Sequence, residues 1–208
     1  MKTEVIDFDR LSYALGISIG YNFRAAGITE LKIQDFADAV GAVFYGQTPK
    51  MSSEEAKKTV NEFFMELQKK QQEEAARMAD INARAGEEFL LQNGKRAEVS
   101  TLPSGLQYEV LESGSGKSPK ATDQVTVHYT GKLIDGTVFD SSEERGEPAT
   151  FAVNQVIPGW VEALQLMKEG DKWRLFIPSG LAYGAQGVPG IGPNQTLLFD
   201  VTLIKVAE

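Results

Sequence analysis

The sequence predicts an α+β protein in two parts: an all-α N-terminal module with a long linking helix, then an antiparallel β region with one short helix. Three observations predict it. From Asp7 to about Gln92 the chain is rich in Ala, Glu, Lys and Gln and holds one proline, Pro49. From Leu102 onward it becomes short β-branched and aromatic runs broken by glycine, and seven of the eight prolines fall there. Apolar spacing changes with composition, from three-and-four to alternation.

Three helices fit the first part. Leu11, Leu15, Ser18 and Asn22 trace one face of the first, with Phe8, Ile19 and Phe23 beside it and Gly27 as its stop. The second starts near Ile33, carries Phe36, Ala37, Val40, Val43 and Phe44 at helical spacing, and stops at Gly46 and Pro49. The third opens with Ser52-Ser53-Glu54-Glu55, a capping box in which hydroxyl and carboxylate satisfy each other's orphan amides. It meets no glycine until Gly86 and is predicted to run to Asn93, about 60 Å at ~1.5 Å per residue. Its apolar stripe is Val60, Phe63, Phe64 and Leu67; residues 68–74 carry no apolar side chain. Two short helices lie near the size below which a lone core is marginal. Residues 1–67 are therefore expected to form an intertwined homodimer domain and 68–96 a stiff arm, with 97–208 as the separate, mostly β domain.

In the second part, residues 106–111 alternate into a strand. Residues 125–133 form a longer one, with Val125, Val127 and Tyr129 on one face and Thr126, His128 and Thr130 on the other. Asp135-Gly136 marks a hairpin to Val138-Phe139. Phe151 and Val153 suggest a further short strand, and residues 159–164 are the one helix-like run. Residues 173–177 and 196–206 complete the sheet.

Composition excludes much chemistry. There is no cysteine, so disulfides, thiolate nucleophiles and cysteine-ligated zinc are out, and the single histidine, His128, makes no multi-histidine metal site. A net charge of −8, spread over both halves, offers no basic face for nucleic acid. No window reaches the ~18 apolar residues of a membrane span, and no apolar signal region is visible at the start. Gly116-Lys117-Ser118 lacks the earlier glycine of a phosphate loop, since position 111 is leucine. Glu143, Glu144 and Glu147 have neither histidine nor calcium-loop spacing and are expected in a solvated loop. No metal and no cofactor is expected. What remains is a set of aromatics, Tyr129, Phe139, Trp160, Tyr183 and Phe199, which on composition alone reads as an ordinary core.

The residues Val127-His-Tyr-Thr-Gly131, Asp135-Gly136-Thr-Val-Phe139-Asp140-Ser-Ser142, Val156-Ile157-Pro-Gly-Trp160, Ala182-Tyr183-Gly184 and Leu198-Phe199-Asp200-Val201 closely resemble the FKBP-type peptidyl-prolyl cis–trans isomerases. The match runs in uninterrupted order through residues 103–208. The helical module resembles, more loosely, that of the bacterial Mip-like two-domain members, which dimerise through it. The resemblance implies a five- or six-stranded antiparallel half-barrel wrapped around one short helix.

It also implies roles. Trp160 would be the platform under the substrate proline ring, with Tyr129, Phe139, Val156, Ile157 and Phe199 as walls. Asp140 would face the substrate amide, with Arg145 orienting Asp140 and Tyr129. The Tyr183 hydroxyl and the Ile157 amide would donate to the substrate, and Ile191 would cap the pocket. Ala149, Val188 and Gly192 depart from the commoner pattern and bear on substrate preference and on macrolides such as tacrolimus and rapamycin. The implied partners are unfolded or proline-containing polypeptides and a second copy of the chain. A rival from another class, a holdase or adaptor binding without catalysis, stays open at this point. The expected location is cytoplasmic, or periplasmic if a signal peptide was removed.

Overall fold

In the computed structural model, which describes residues 7–207, the chain divides into two compact units, residues 1–71 and 72–208. The first holds helices α1 (Phe8–Ala25) and α2 (Ile33–Phe44) and the opening turns of α3 (Ser53–Asn93). Asp7 caps α1 by accepting the Asp9 and Arg10 amides, each at 3.1 Å. The chain leaves α1 at Gly27 with φ +84°, where an added Cβ would lie 2.9 Å from a Leu67 methyl. The capping box of α3 is reciprocal: the Ser52 amide donates to Glu55 at 2.9 Å, and the Glu55 amide to Ser52 Oγ at 3.2 Å. Phe23 meets Phe36 edge-on at 5.4 Å, yet no residue of α1 or α2 is buried.

The second unit begins at Gln72, inside the segment read from sequence as an arm. The reason is packing: Asn82, Gly86 and Asn93 of α3 are buried, and Phe89 stacks obliquely on Phe176 at 5.9 Å. The unit continues with β1 (Val99–Thr101), β2 (Gln107–Glu112), β3 (Gln124–Leu133), β4 (Val138–Ser141), α4 (Ser142–Arg145) and β5 (Ala149–Ala152). After these come α5 (Pro158–Leu166), β6 (Lys172–Ile177) and β7 (Leu197–Ala207).

The sheet has seven strands in the order β1-β2-β6-β7-β3-β4, all pairs antiparallel, with β5 also on β3. That exceeds the five or six implied by resemblance, because β1 adds an edge and β3 divides its second side. Residues 124–127 of β3 pair with β5, and residues 130–132 with β4. The alternation along β3 holds: Val125, Val127 and Tyr129 face inward, packed with Leu164, Leu175, Leu197, Val201 and Leu203 around Trp160.

Two local expectations need correction. Val153 lies in a 3-10 turn after β5, its amide taken by Asp123 O at 3.0 Å. The acidic run is only partly loop: Ser141 caps the Glu144 amide at 3.2 Å and starts the single turn α4, which holds Glu143 and Glu144 and which Gly146 ends at φ +76°, with exposed Glu147 in the connection that follows. This turn carries Arg145 to the pocket. His128 is satisfied by Ser142, Nδ1 to Oγ 3.0 Å.

Candidate functional site

The pocket is built where the sheet meets the start of α5. Pro158 opens that helix with its φ already helical and no amide to lose. Gly159 follows because a Cβ there would lie 2.5 Å from an Ile177 methyl. This close approach seats Trp160 against the sheet at 4% exposure. Tyr129 and Phe199 meet the indole edge-on at 5.3 and 5.2 Å, Phe151 at 6.0 Å, and Phe139 meets Phe199 at 5.5 Å. Gly131 makes room for this cluster, since a Cβ would lie 2.6 Å from Phe139 and 2.7 Å from Phe199.

The result is a cavity of about 440 Å³ lined by Tyr129, Phe139, Asp140, Phe151, Gln155, Val156, Ile157, Trp160, Tyr183 and Phe199. It is an apolar cleft with few polar groups, the usual character of a small-ligand or side-chain site.

Those polar groups are held in place. The Tyr129 hydroxyl donates to Asp140 Oδ2 at 2.5 Å, Arg145 Nη2 donates to the Tyr129 oxygen at 3.0 Å, and Arg145 Nη1 donates to Asp140 Oδ1. The guanidinium also lies 5.6 Å from the Tyr129 ring centre. Burial raises the Asp140 pKa, but the hydrogen bonds from Tyr129 and Arg145 outweigh it and leave the carboxyl below its ordinary value. Burial, and then the bond to Asp140, push the Tyr129 hydroxyl above its ordinary value. At neutral pH the trio is a fixed carboxylate, phenol and guanidinium, with no proton poised to leave. Tyr183 stands apart, 37% exposed, its hydroxyl without a partner among the described residues. Its donor is available to an incoming acceptor.

Of the residues singled out from sequence, the structure gathers Tyr129, Phe139, Asp140, Val156, Ile157, Trp160, Tyr183 and Phe199 in one lining, with Arg145 just behind. Ile191 is not in that lining. It is 6% exposed and packed in the apolar core, at a tight turn where the Val188 and Ile191 amides donate to each other's carbonyls at 2.9 and 2.8 Å. Sequence reasoning missed Phe151 and Gln155. Neither carried a signal of its own: Phe151, which pairs across to Val125 on the inward face of β3, is one aromatic in a four-residue strand, and Gln155 sits in the 3-10 turn. Among the described residues no three His, Cys, Asp or Glu side chains cluster to hold a metal, and no helix is long and apolar enough to cross a membrane.

Comparison with known proteins bears on the whole chain. The family model described as FKBP-type peptidyl-prolyl cis-trans isomerase matches residues 115–204, and the one described as the domain amino terminal to it matches residues 8–110. The outer membrane protein MIP of Legionella longbeachae is 45% identical over 203 residues, covering 97% of this chain and 87% of that protein. The peptidyl-prolyl cis-trans isomerase Mip of Coxiella burnetii is 44% identical over 209 residues, covering 100% and 89%. The crystal structure of FkpA from Escherichia coli superposes with a TM-score of 0.73 at 39% identity, covering 97% of each chain. The chain belongs to the FKBP-type peptidyl-prolyl cis-trans isomerase family.

Proposed function

From that membership, we propose that the chain accelerates cis–trans isomerisation of X–Pro bonds in folding polypeptides, and that the cavity over Trp160 is where it does so. The observation that carries this reading is an aromatic cleft floored by a buried indole, with a rigid Tyr129–Asp140–Arg145 trio on its wall and a free phenol, Tyr183, at its mouth.

The chemistry suits a chain without a nucleophile. Rotation about an X–Pro bond meets a barrier of ~18–20 kcal/mol, chiefly lost amide resonance. The planar amide is more dipolar than the twisted one. Moving it from water into an aromatic cleft therefore raises the ground state more than the transition state. Trp160, Tyr129, Phe139 and Phe199 hold the proline ring by area burial, with Val156 and Ile157 along the side. Tyr183 and the Ile157 amide donate to the substrate backbone and fix one side of the bond while the other turns. Asp140, ionised and oriented by Tyr129 and Arg145, acts on the amide dipole electrostatically and carries no proton. Ile191 is assigned a packing role.

The test is a protease-coupled assay on a proline tetrapeptide with and without rapamycin. A rate above buffer that rapamycin suppresses supports the reading; a rate equal to buffer sinks it. Ala149, Val188 and Gly192 lie outside the lining residues, which leaves the cleft itself open to a macrolide.

The N-terminal unit is proposed to dimerise. Leu15, Val40, Phe44, Phe63 and Phe64 are 55, 49, 80, 44 and 39% exposed in the single chain, an apolar surface fit for a second copy. The expected cytoplasmic location finds no support among the relatives. The similarity to a protein called an outer membrane protein favours the periplasmic alternative. A working boundary for the isomerase unit is proposed at residue 72 instead of the expected 97, supported by the packed end of α3 lying in the same compact unit as the sheet.

A further inference from the structure

Residues 182–196 connect the Tyr183 corner to β7. Gly184, Gly187 and Gly190 have φ of +60°, +63° and +86°, and Asn194, at +53°, is the one non-glycine described residue with positive φ. A connection so rich in glycine has little stiffness of its own. At its root the Asn194 amide donates to Gly184 O at 2.9 Å, closing the loop directly beside Tyr183, while the Gly187 amide donates to Tyr183 O at 3.3 Å.

The remaining ties come from a helix more than 100 residues away in sequence. Asn82 Nδ2 donates to Pro193 O at 2.8 Å, and Asn194 Nδ2 donates to Ala79 O at 3.3 Å. Asn82 is 9% exposed, so its amide has little water to turn to. Ala79, Asn82 and Gly86 lie on one face of α3 at spacings of three and four. At Gly86 a Cβ would sit 2.3 Å from Thr196 Oγ1, so the helix approaches the start of β7 as only glycine permits. Asn194 has two duties: its main chain closes the loop, and its side chain fastens that closure to the helix. Asparagine suits the left-handed conformation this requires.

We propose that Asn82 and Asn194 are positioning residues for Tyr183, a two-amide clasp through which α3 sets the orientation of the phenol at the pocket mouth. The proposal rests on the isomerase reading of the pocket. It makes the second half of α3 part of the machinery that aligns the substrate carbonyl, rather than only a connector.

The experiment uses the full chain with Asn82→Ala and Asn194→Gly, each with and without Tyr183→Phe. Glycine keeps the positive φ and removes only the side-chain amide. In the tetrapeptide assay each asparagine variant should lose about three- to tenfold in kcat/KM, mostly in kcat, the worth of one or two hydrogen bonds. In the Tyr183→Phe background the same substitutions should change the rate less than about twofold, because the group they position no longer donates. Amide exchange over residues 184–194 should quicken by about tenfold in Asn82→Ala, with Val201 and Leu203 unmoved. Losses that multiply with Tyr183→Phe, or unchanged rates in both asparagine variants, overturn the clasp. A Tyr183→Phe variant as fast as the parent would instead remove Tyr183 from the pocket reading. In that case the exchange measurement alone decides whether α3 orders the loop, and unchanged exchange overturns the proposal.

Discussion

The two units spend their apolar side chains differently. In residues 72–208, Leu106, Val125, Val127, Leu164, Leu175, Leu197, Val201 and Leu203 are all 0% exposed. In residues 1–71, Phe44 is 80% exposed and Tyr13 76%, and neither α1 nor α2 buries a single residue. A seven-stranded sheet closing on α5 encloses a volume; two short helices and the start of a third only make a surface. The sheet unit can stand on its own core, whereas the second copy proposed here is what would give the helical unit one.

The strongest way to break the comparison is to separate the units. A fragment of residues 72–208 should unfold in one cooperative transition and keep the tetrapeptide rate. A fragment of residues 1–71 should show a melting temperature that climbs with its own concentration. A monomeric 1–71 fragment with a sharp, concentration-independent transition would end the contrast. Starting instead at residue 97 removes Asn82, Gly86, Phe89 and Asn93. It also strips the Gln107 amide of its bond to Leu90 O at 2.9 Å, so that shorter fragment should be measurably less stable.

Next in size is Trp160→Leu, which should cost ~2–4 kcal/mol of stability in the sheet unit as a shrunken aromatic site. Chemical denaturation gives that figure. The activity loss should exceed what the unfolded fraction explains, because the indole is both core and pocket floor. Full activity in a folded variant would make Trp160 core alone.

A charge in the helical unit sharpens the contrast from the other side. Phe44→Asp would be near neutral on a true surface, within about 0.5 kcal/mol. If a second copy covers it, the dimer should weaken by tenfold or more in sedimentation, and added salt should not dissociate the parent, since apolar burial is not screened.

Smaller again is Arg145→Lys, which keeps the charge but loses the fork that holds Asp140 and Tyr129 together. The expected loss in kcat/KM is about three- to tenfold, the worth of one or two hydrogen bonds, with little change in melting temperature because the side chain is exposed. The smallest effect expected is that of pH. The lowered pKa of Asp140 means its contribution is present above the ordinary aspartate value and fades as pH falls through the lowered one. The raised pKa of Tyr129 means its contribution is present below the ordinary tyrosine value and fades as pH rises through the raised one. Between those limits, from about pH 5 to 9, kcat/KM should be flat. A bell inside that window would mean a proton moves in the reaction.

Local pattern carried the helices and the strands because each element's signal lies in its own residues. The Ser52–Glu55 box, Gly27 after α1, the alternation of Val125, Val127 and Tyr129, and Asp135-Gly136 all act within a few positions. The Tyr129, Asp140 and Trp160 neighbourhood was readable only through family resemblance. Spacing in the chain says nothing about which faces converge. Phe151 escaped because one aromatic in a four-residue strand has no period, and Gln155 because a polar residue in a turn looks like any other. The one-turn helix bearing Arg145 looked like solvated acid, since Ser141 Oγ capping the Glu144 amide is a contact that composition does not display.

By itself the sequence determined the three long helices and the main strands in order, with their period, and the absence of any cysteine or histidine cluster to do covalent or metal chemistry. Tertiary structure decided where the second compact unit begins, which of the implied pocket residues line the cavity, and that Ile191 packs in the core. It also decided that Ala79, Asn82 and Gly86 meet residues 193–196. The reason is range. Propensity, capping and turn chemistry are settled among near neighbours, whereas a cavity or a helix-to-loop hydrogen bond joins groups up to 115 residues apart and exists only once the chain has closed on itself.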